Sequence, residues 1–95
     1  MVIHVKGICD AADTGAQGEL LFAAMMQGLR QGDNIVLSFA GVPTATSSFI
    51  NASFVQLLSF MTFDEIKRRV VIKDSSRQIN EMIKRRLSRE AEIAV

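Results

Sequence analysis

The sequence predicts an α/β domain with a small, mostly parallel sheet, its elements in the order strand, helix, strand, helix, strand, helix. Three observations predict it. Short Val- and Ile-rich runs lie at residues 2–6, 34–40 and 70–72. The segments that follow each run repeat apolar residues at helical spacing, and the connections are short enough for α/β units. Right-handed crossovers between successive strands make the sheet parallel.

Val2 to Lys6 alternates apolar with polar residues and meets Gly7, as a short strand does. Thr14 followed by Gln17 has capping-box spacing, and Leu21, Phe22, Met25 and Leu29 then return to one side of a helix running from about Gly15 to Gln31. Gly32 and Asp33 supply the stop. Ile35, Val36, Leu37 and Phe39 form a nearly continuous apolar run, which suits a central strand covered on both faces. Ile50, Phe54, Leu57, Leu58 and Met61 keep helical spacing for a second helix over about Ser48–Met61. Lys67 to Arg69 lead into a third strand at Val70–Ile72. Ser75 with Gln78 is another capping-box pattern, opening an amphipathic third helix with Ile79, Met82, Ile83 and Leu87 on its inner face.

At 95 residues the chain is expected to be one domain, 1–95, with a flexible tail over 90–95. An apolar fraction of 48% against 22% charged residues supports a core without metal or disulfide staples. Eleven basic and ten acidic residues nearly cancel, so no global field draws the chain to nucleic acid or to an anionic membrane. Cys9 is the sole cysteine, which excludes an internal disulfide and favours a reducing compartment. No run reaches membrane-spanning length and the N-terminus lacks a signal-peptide pattern, so a cytoplasmic location is expected.

Catalytic chemistry finds little support. One His (His4) and one Cys cannot build a standard metal site, and no nucleophile has a base beside it in a recognisable pattern. Gly15 and Gly18 do not form a phosphate-binding glycine loop. No enzyme activity, cofactor or metal is expected. Lys84, Arg85, Arg86 and Arg89 in the last turns of the third helix match its dipole, and without Trp or Tyr to stack on bases nucleic-acid contact is a minor alternative.

The most informative segment is Val42 to Ser48, which places the hydroxyls of Thr44, Thr46, Ser47 and Ser48 between the carboxyl end of the middle strand and the start of the second helix. Open α/β sheets hold their ligands at that end. An ordinary helix cap explains these residues, and so does a small-anion site using the free amides of the helix start. The absence of Lys and Arg between residues 31 and 66 weighs against the anion. Phe49 and Phe60 project together beside the apolar stripe of this helix, where they form either a patch for a partner or second copy, or a face covered by a neighbour.

The runs His4 to Gly7, Ile35 to Val42 and Ser47-Ser48-Phe49-Ile50-Asn51-Ala52 resemble the STAS fold, found in anti-sigma factor antagonists and sulfate-transporter tails, and most closely the short STAS-like domains. The similarity spans roughly residues 2–88, with its specific part at 35–58. It implies a loop that faces a partner, often a histidine-kinase-like ATPase acting as an anti-sigma factor. It implies Ser48 as the phosphorylation site, with Ser47 beside it. This chain departs from the antagonists at Thr46 (commonly Asp), Phe49 (commonly Gly) and Ser38 (a strand Asp).

The expected function is therefore regulatory protein association, with Pro43, Thr44, Thr46, Ser47, Ser48 and Phe49 as the contact surface and a homodimer also open. The alternative is a small-anion or nucleotide-binding module using the same helix start.

Overall fold

Thr14 and Gln17 act as their spacing predicts. The Gln17 N–H donates to the Thr14 hydroxyl (3.1 Å), while Gln17 Oε1 accepts from the backbone N–H of Thr14 (3.0 Å), which closes the capping box of α2, Gly15–Arg30. The Gln17 side-chain amide also donates to the Cys9 carbonyl (3.1 Å). That bond ties α2 to a helix the sequence did not announce.

This computed structural model describes residues 1–93. The first strand, β1, is only Val2–His4, and Val5–Cys9 turns into a short helix, α1. The strand expected to reach Lys6 is thus two residues shorter. Val5 and Cys9, four apart, are both buried on one side of that turn, and so small an alternation is equally helical. Asp10 then reverses the chain with φ 61° and ψ −42°, and the Ala11 N–H donates to the Cys9 carbonyl at 2.6 Å, a tight three-residue turn.

β2 (Ile35–Ser38) lies between β1 and β3 (Val70–Lys73), and both pairings are parallel. Strand order follows chain order. With right-handed crossovers, steps in one direction put every crossover helix on the same face. Only that face is packed: Ile3, Ile35, Leu37 and Val70 are buried, while the opposite row, Val2–Val36–Val71, keeps Val2 56% and Val71 52% exposed. The middle strand is central as expected, but it is not covered on both sides.

The second helix is the largest departure. It begins one residue early as α3, Ser47–Ile50, and continues as a π-helical segment, Asn51–Val55, instead of running regularly to Met61. At 3.6 residues per turn, residues five apart point about 140° away from each other, whereas i→i+5 winding brings them to one side. Phe49 and Phe54 are both fully buried, as are Ile50 and Leu57. Buried Ser53 fits this wide turn because its hydroxyl donates to the Phe49 carbonyl at 2.7 Å.

A further unexpected helix, α4 (Phe63–Arg69), starts at Thr62, whose hydroxyl accepts from the Glu65 N–H (3.1 Å) while Glu65 Oε1 accepts from the Thr62 N–H (3.2 Å). The last helix, α5, runs from Arg77 to Ile93. The tail expected from residue 90 is therefore helical to Ile93, and positions 94 and 95 lie outside the described residues. Ser76 caps α5, accepting from the Ile79 N–H at 3.2 Å, so the Ser75–Gln78 capping box does not form. Arg69 closes the other end of the layer by donating to the carbonyls of Leu29 (3.0 Å), in the last turn of α2, and Asp33 (2.9 Å), just past it.

Leu21, Met25 and Leu29 of α2 meet the buried residues of α3 and the π segment, together with Ile79, Ile83 and Leu87 of α5, over the inner face of the sheet. Gly18 permits a close backbone approach: a Cβ there would fall 2.5 Å from the Phe49 carbonyl oxygen. No helix among the described residues is long and apolar enough to cross a membrane.

Candidate functional site

The connection from β2 to α3 leaves the carboxyl end of the sheet, where Gly41, at φ 80°, turns the chain in a conformation that a side chain would strain. Past the turn, residues beneath the loop hold it at three points. Ser76 donates its hydroxyl to the Pro43 carbonyl (2.9 Å). Gln78 grips Ala45 on both sides, its Oε1 accepting from the Ala45 N–H and its Nε2 donating to the Ala45 carbonyl, each at 3.0 Å. Thr46 donates its hydroxyl to the Asp13 carbonyl (2.8 Å), and its own N–H reaches the Ala12 carbonyl (3.0 Å). Residues at the start of α5 and in the connection before α2 thus fix the loop's shape.

Thr46 is also the cap of α3, since its hydroxyl accepts from the Phe49 N–H at 3.2 Å. The anchoring sorts the side chains. Val42, Ala45, Phe49 and Ile50 point into the core, while Pro43, Thr44, Thr46, Ser47 and Ser48 are exposed. Among the described residues the hydroxyls of Thr44, Ser47 and Ser48 make no hydrogen bond to protein.

Two expectations are corrected here. Phe49 is 0% exposed, so it is a core residue and not the apolar anchor of a docking surface. The wide winding that follows it lets it share the buried side with Phe54. Phe60 does remain exposed, at 57%, with its ring 6.0 Å from that of Phe22. A joint Phe49–Phe60 patch does not exist.

Beside the loop, Ser38 is buried and donates its hydroxyl to Asp74 Oδ2 at 2.9 Å, while the Ala40 N–H reaches the same hydroxyl at 3.3 Å. Asp74 follows β3 with φ 56°, a left-handed conformation that Asp tolerates better than most residues. The strand position that is Asp in STAS antagonists is Ser38 here, and the adjacent strand's end brings a carboxylate to it. A hollow of about 260 Å³ opens there against Phe39, Val42, Pro43 and Ser76.

Ser76, Gln78 and Asp74 are the residues that sequence reasoning does not place at the site. Gln78 offers a signal, its polar side chain three residues after Ser75, but its partner is Ala45 and not the cap of α5. Asp74 offers none, because a turn Asp after a strand is commonplace.

The remaining candidates take structural roles or stand alone. Cys9 is buried, its Sγ donating to the Gln17 carbonyl at 3.3 Å, and burial followed by the nearby Asp10 charge pushes its thiol pKa up. His4 is exposed on β1, and no group of three or more His, Cys, Asp or Glu converges among the described residues. Arg86 donates to Asn51 Oδ1 (2.9 Å) and pairs with Glu90 (3.2 Å), so one member of the basic run stitches α5 to the π segment.

No curated protein and no solved structure matches the chain. A family model does match, over residues 17–80, a span that takes in most of α2, β2, the pinned loop, α3 with its π segment, α4, β3 and the start of α5. That family is described as a STAS-like domain of unknown function, DUF4325, and the chain belongs to it.

Proposed function

We propose that this STAS-like domain is a non-catalytic regulatory module that associates with a protein partner through the exposed ridge of Pro43, Thr44, Thr46, Ser47 and Ser48. The observation that carries the proposal is the anchoring of that ridge from beneath by Ser76, Gln78 and the backbone of residues 12 and 13. A surface already held in one shape spends little of its binding energy on ordering. The resemblance to anti-sigma factor antagonists supplies the partner class, a histidine-kinase-like ATPase. It also supplies the regulatory group, a phosphate on Ser48. At the exposed second position of α3, that phosphate adds about −1.5 to −2 charge to the ridge. The small-anion alternative is weaker, because the Thr46 hydroxyl already occupies the Phe49 amide.

The test uses tagged wild-type, Thr44→Arg and Ser48→Asp domains to capture proteins from cells that make this chain. The captured partner is purified and titrated with each domain by calorimetry. Both variants are expected to keep the wild-type melting temperature and to bind roughly tenfold or more weakly, the loss that follows from truncating or clashing with a central interface residue. Equal affinity for all three domains, or no partner retained, refutes the proposal.

A further inference from the structure

A second hollow, of about 460 Å³, lies between α4, β3 and α5 and plays no part in the docking ridge. Its size falls within the range of small-molecule sites. The walls are apolar, with Phe54, Ile66, Ile83 and Leu87 each no more than 5% exposed. The local chain path explains the gap. Val70 is both the extended C-cap of α4 and the first residue of β3, so α4 enters the edge strand with no loop to let it settle along the sheet.

Two exposed cations, Lys67 and Lys84, line the same hollow, and no carboxylate does. The sole ion pair among the described residues, Arg86–Glu90, involves neither lysine. Lys67 lies with its Nζ 5.1 Å from the centre of the Phe63 ring, against the apolar wall and not turned out toward an acidic neighbour. Apolar walls beside two cations, with no carboxylate among the lining residues, complement a molecule with an apolar chain and a negative head. An acidic amphipathic helix shares that chemistry, but a helix is about 10 Å across and needs an open trough. A hollow of about 460 Å³ has room for a single hydrocarbon chain and too little for a cylinder of that width. We propose that this hollow binds a single-chain anionic amphiphile of the fatty-carboxylate class, with its hydrocarbon among Phe54, Ile66, Ile83 and Leu87 and its carboxylate at Lys67 and Lys84.

Decanoate, decanol and acetate, each as monomers in solution, and vesicles of an anionic phospholipid are titrated separately into the full chain, followed by calorimetry and by backbone amide NMR shifts. Decanoate is expected to saturate at one per chain, to shift the amides around Ile66, Lys67, Ile83 and Lys84, and to bind about tenfold tighter than decanol. That ratio is what two exposed ion pairs supply together. Acetate should not saturate. In the double variant Lys67→Gln, Lys84→Gln, with both changes at exposed positions, the preference for decanoate over decanol should vanish while the melting temperature holds. Ser48→Asp should leave decanoate affinity unchanged, which separates this site from the docking ridge. Absence of saturable decanoate binding, equal affinity for decanoate and decanol in the wild type, shifts confined to other elements, or binding to vesicles alone would each overturn the proposal.

Discussion

Replacing Phe49 with Ala tests whether the residue is a surface anchor or part of the core. In the structure its side chain is fully buried, its carbonyl accepts the Ser53 hydroxyl, and its backbone lies against Gly18 of α2. A cavity opened there cannot close by a simple shift of the helix, because those contacts hold the main chain in place. Phe→Ala in such cores costs about 3–5 kcal/mol, and the poor scope for collapse puts this site toward the upper end. For a chain of 95 residues the whole stability is roughly 5–14 kcal/mol, so the substitution removes about a fifth of it or more. Melting should fall by at least about 12 °C, taking the lower limits of both the cost and the shift per kcal/mol for a domain of this size. Urea unfolding followed by far-ultraviolet circular dichroism measures the loss directly, and Phe49→Leu, which keeps most of the volume, should lose much less. A surface residue would change stability by no more than about 0.5 kcal/mol. A Phe49→Ala loss below about 1 kcal/mol would therefore refute the packing described for α3 and its π segment.

Three other outcomes follow from the same geometry. Gly18→Ala should lose about 1–3 kcal/mol, because its Cβ would lie 2.5 Å from the Phe49 oxygen and 2.8 Å from the Ala52 Cβ, while Gly15→Ala, with nothing within 4 Å, should be neutral or slightly stabilising. A Gly15 variant less stable than the Gly18 variant would contradict this packing. Gln78→Ala removes both hydrogen bonds to Ala45 and should cost about 1–3 kcal/mol, with faster hydrogen exchange at the Ala45 amide than at the core amides of α2; unaltered exchange at Ala45 would show that the clamp does not hold the loop. Cys9 should react slowly with iodoacetamide at neutral pH until the protein is unfolded, since burial and then the Asp10 charge raise its pKa and the thiolate is the reactive form. The folded state holds that proton more tightly than the unfolded state. The contribution to stability is thus complete below the unfolded thiol's pKa and is lost as pH rises through the folded one. Cys9→Ser should flatten that alkaline decline, and an unchanged profile would assign it to other groups.

The sequence made some elements legible because one residue pair or one repeated spacing determined them locally. Thr14 with Gln17 is such a pair, and so is the long stripe from Leu21 to Leu29; both hold. The central place of the middle strand was legible from its nearly continuous apolar run, although the sheet is packed on one face only. Two failures came from patterns that serve two structures equally. Val5, Ile8 and Cys9 suit a helix as well as Val2 to Lys6 suits a strand, and Ser75 with Gln78 has the spacing of a capping box even though Gln78 is used elsewhere. Thr62 and Glu65 were as clear a capping signal as Thr14 and Gln17, but the short apolar stretch that follows them contains one fully core-facing residue, Ile66, and so shows no stripe. The π segment had no sequence signature under a 3.6-residue period, and that is why Phe49 was placed on the surface.

The candidate site was legible only as a location. The hydroxyl-rich run after the middle strand lies where the sequence put it, and Ser47 and Ser48 are exposed there. Its rigidity depends on Gln78, Ser76 and the carbonyls of residues 12 and 13, all at least about thirty positions away in the chain, and no local pattern joins them. On the docking proposal that rigidity limits how a phosphate on Ser48 could work. None of the bonds that pin the loop uses the Ser48 hydroxyl, and the α3 cap is provided by Thr46. Modifying Ser48 would leave the anchors intact. A phosphate there would act through charge and bulk presented to the partner, so the isolated domain should show nearly the same loop before and after modification, with the change confined to affinity.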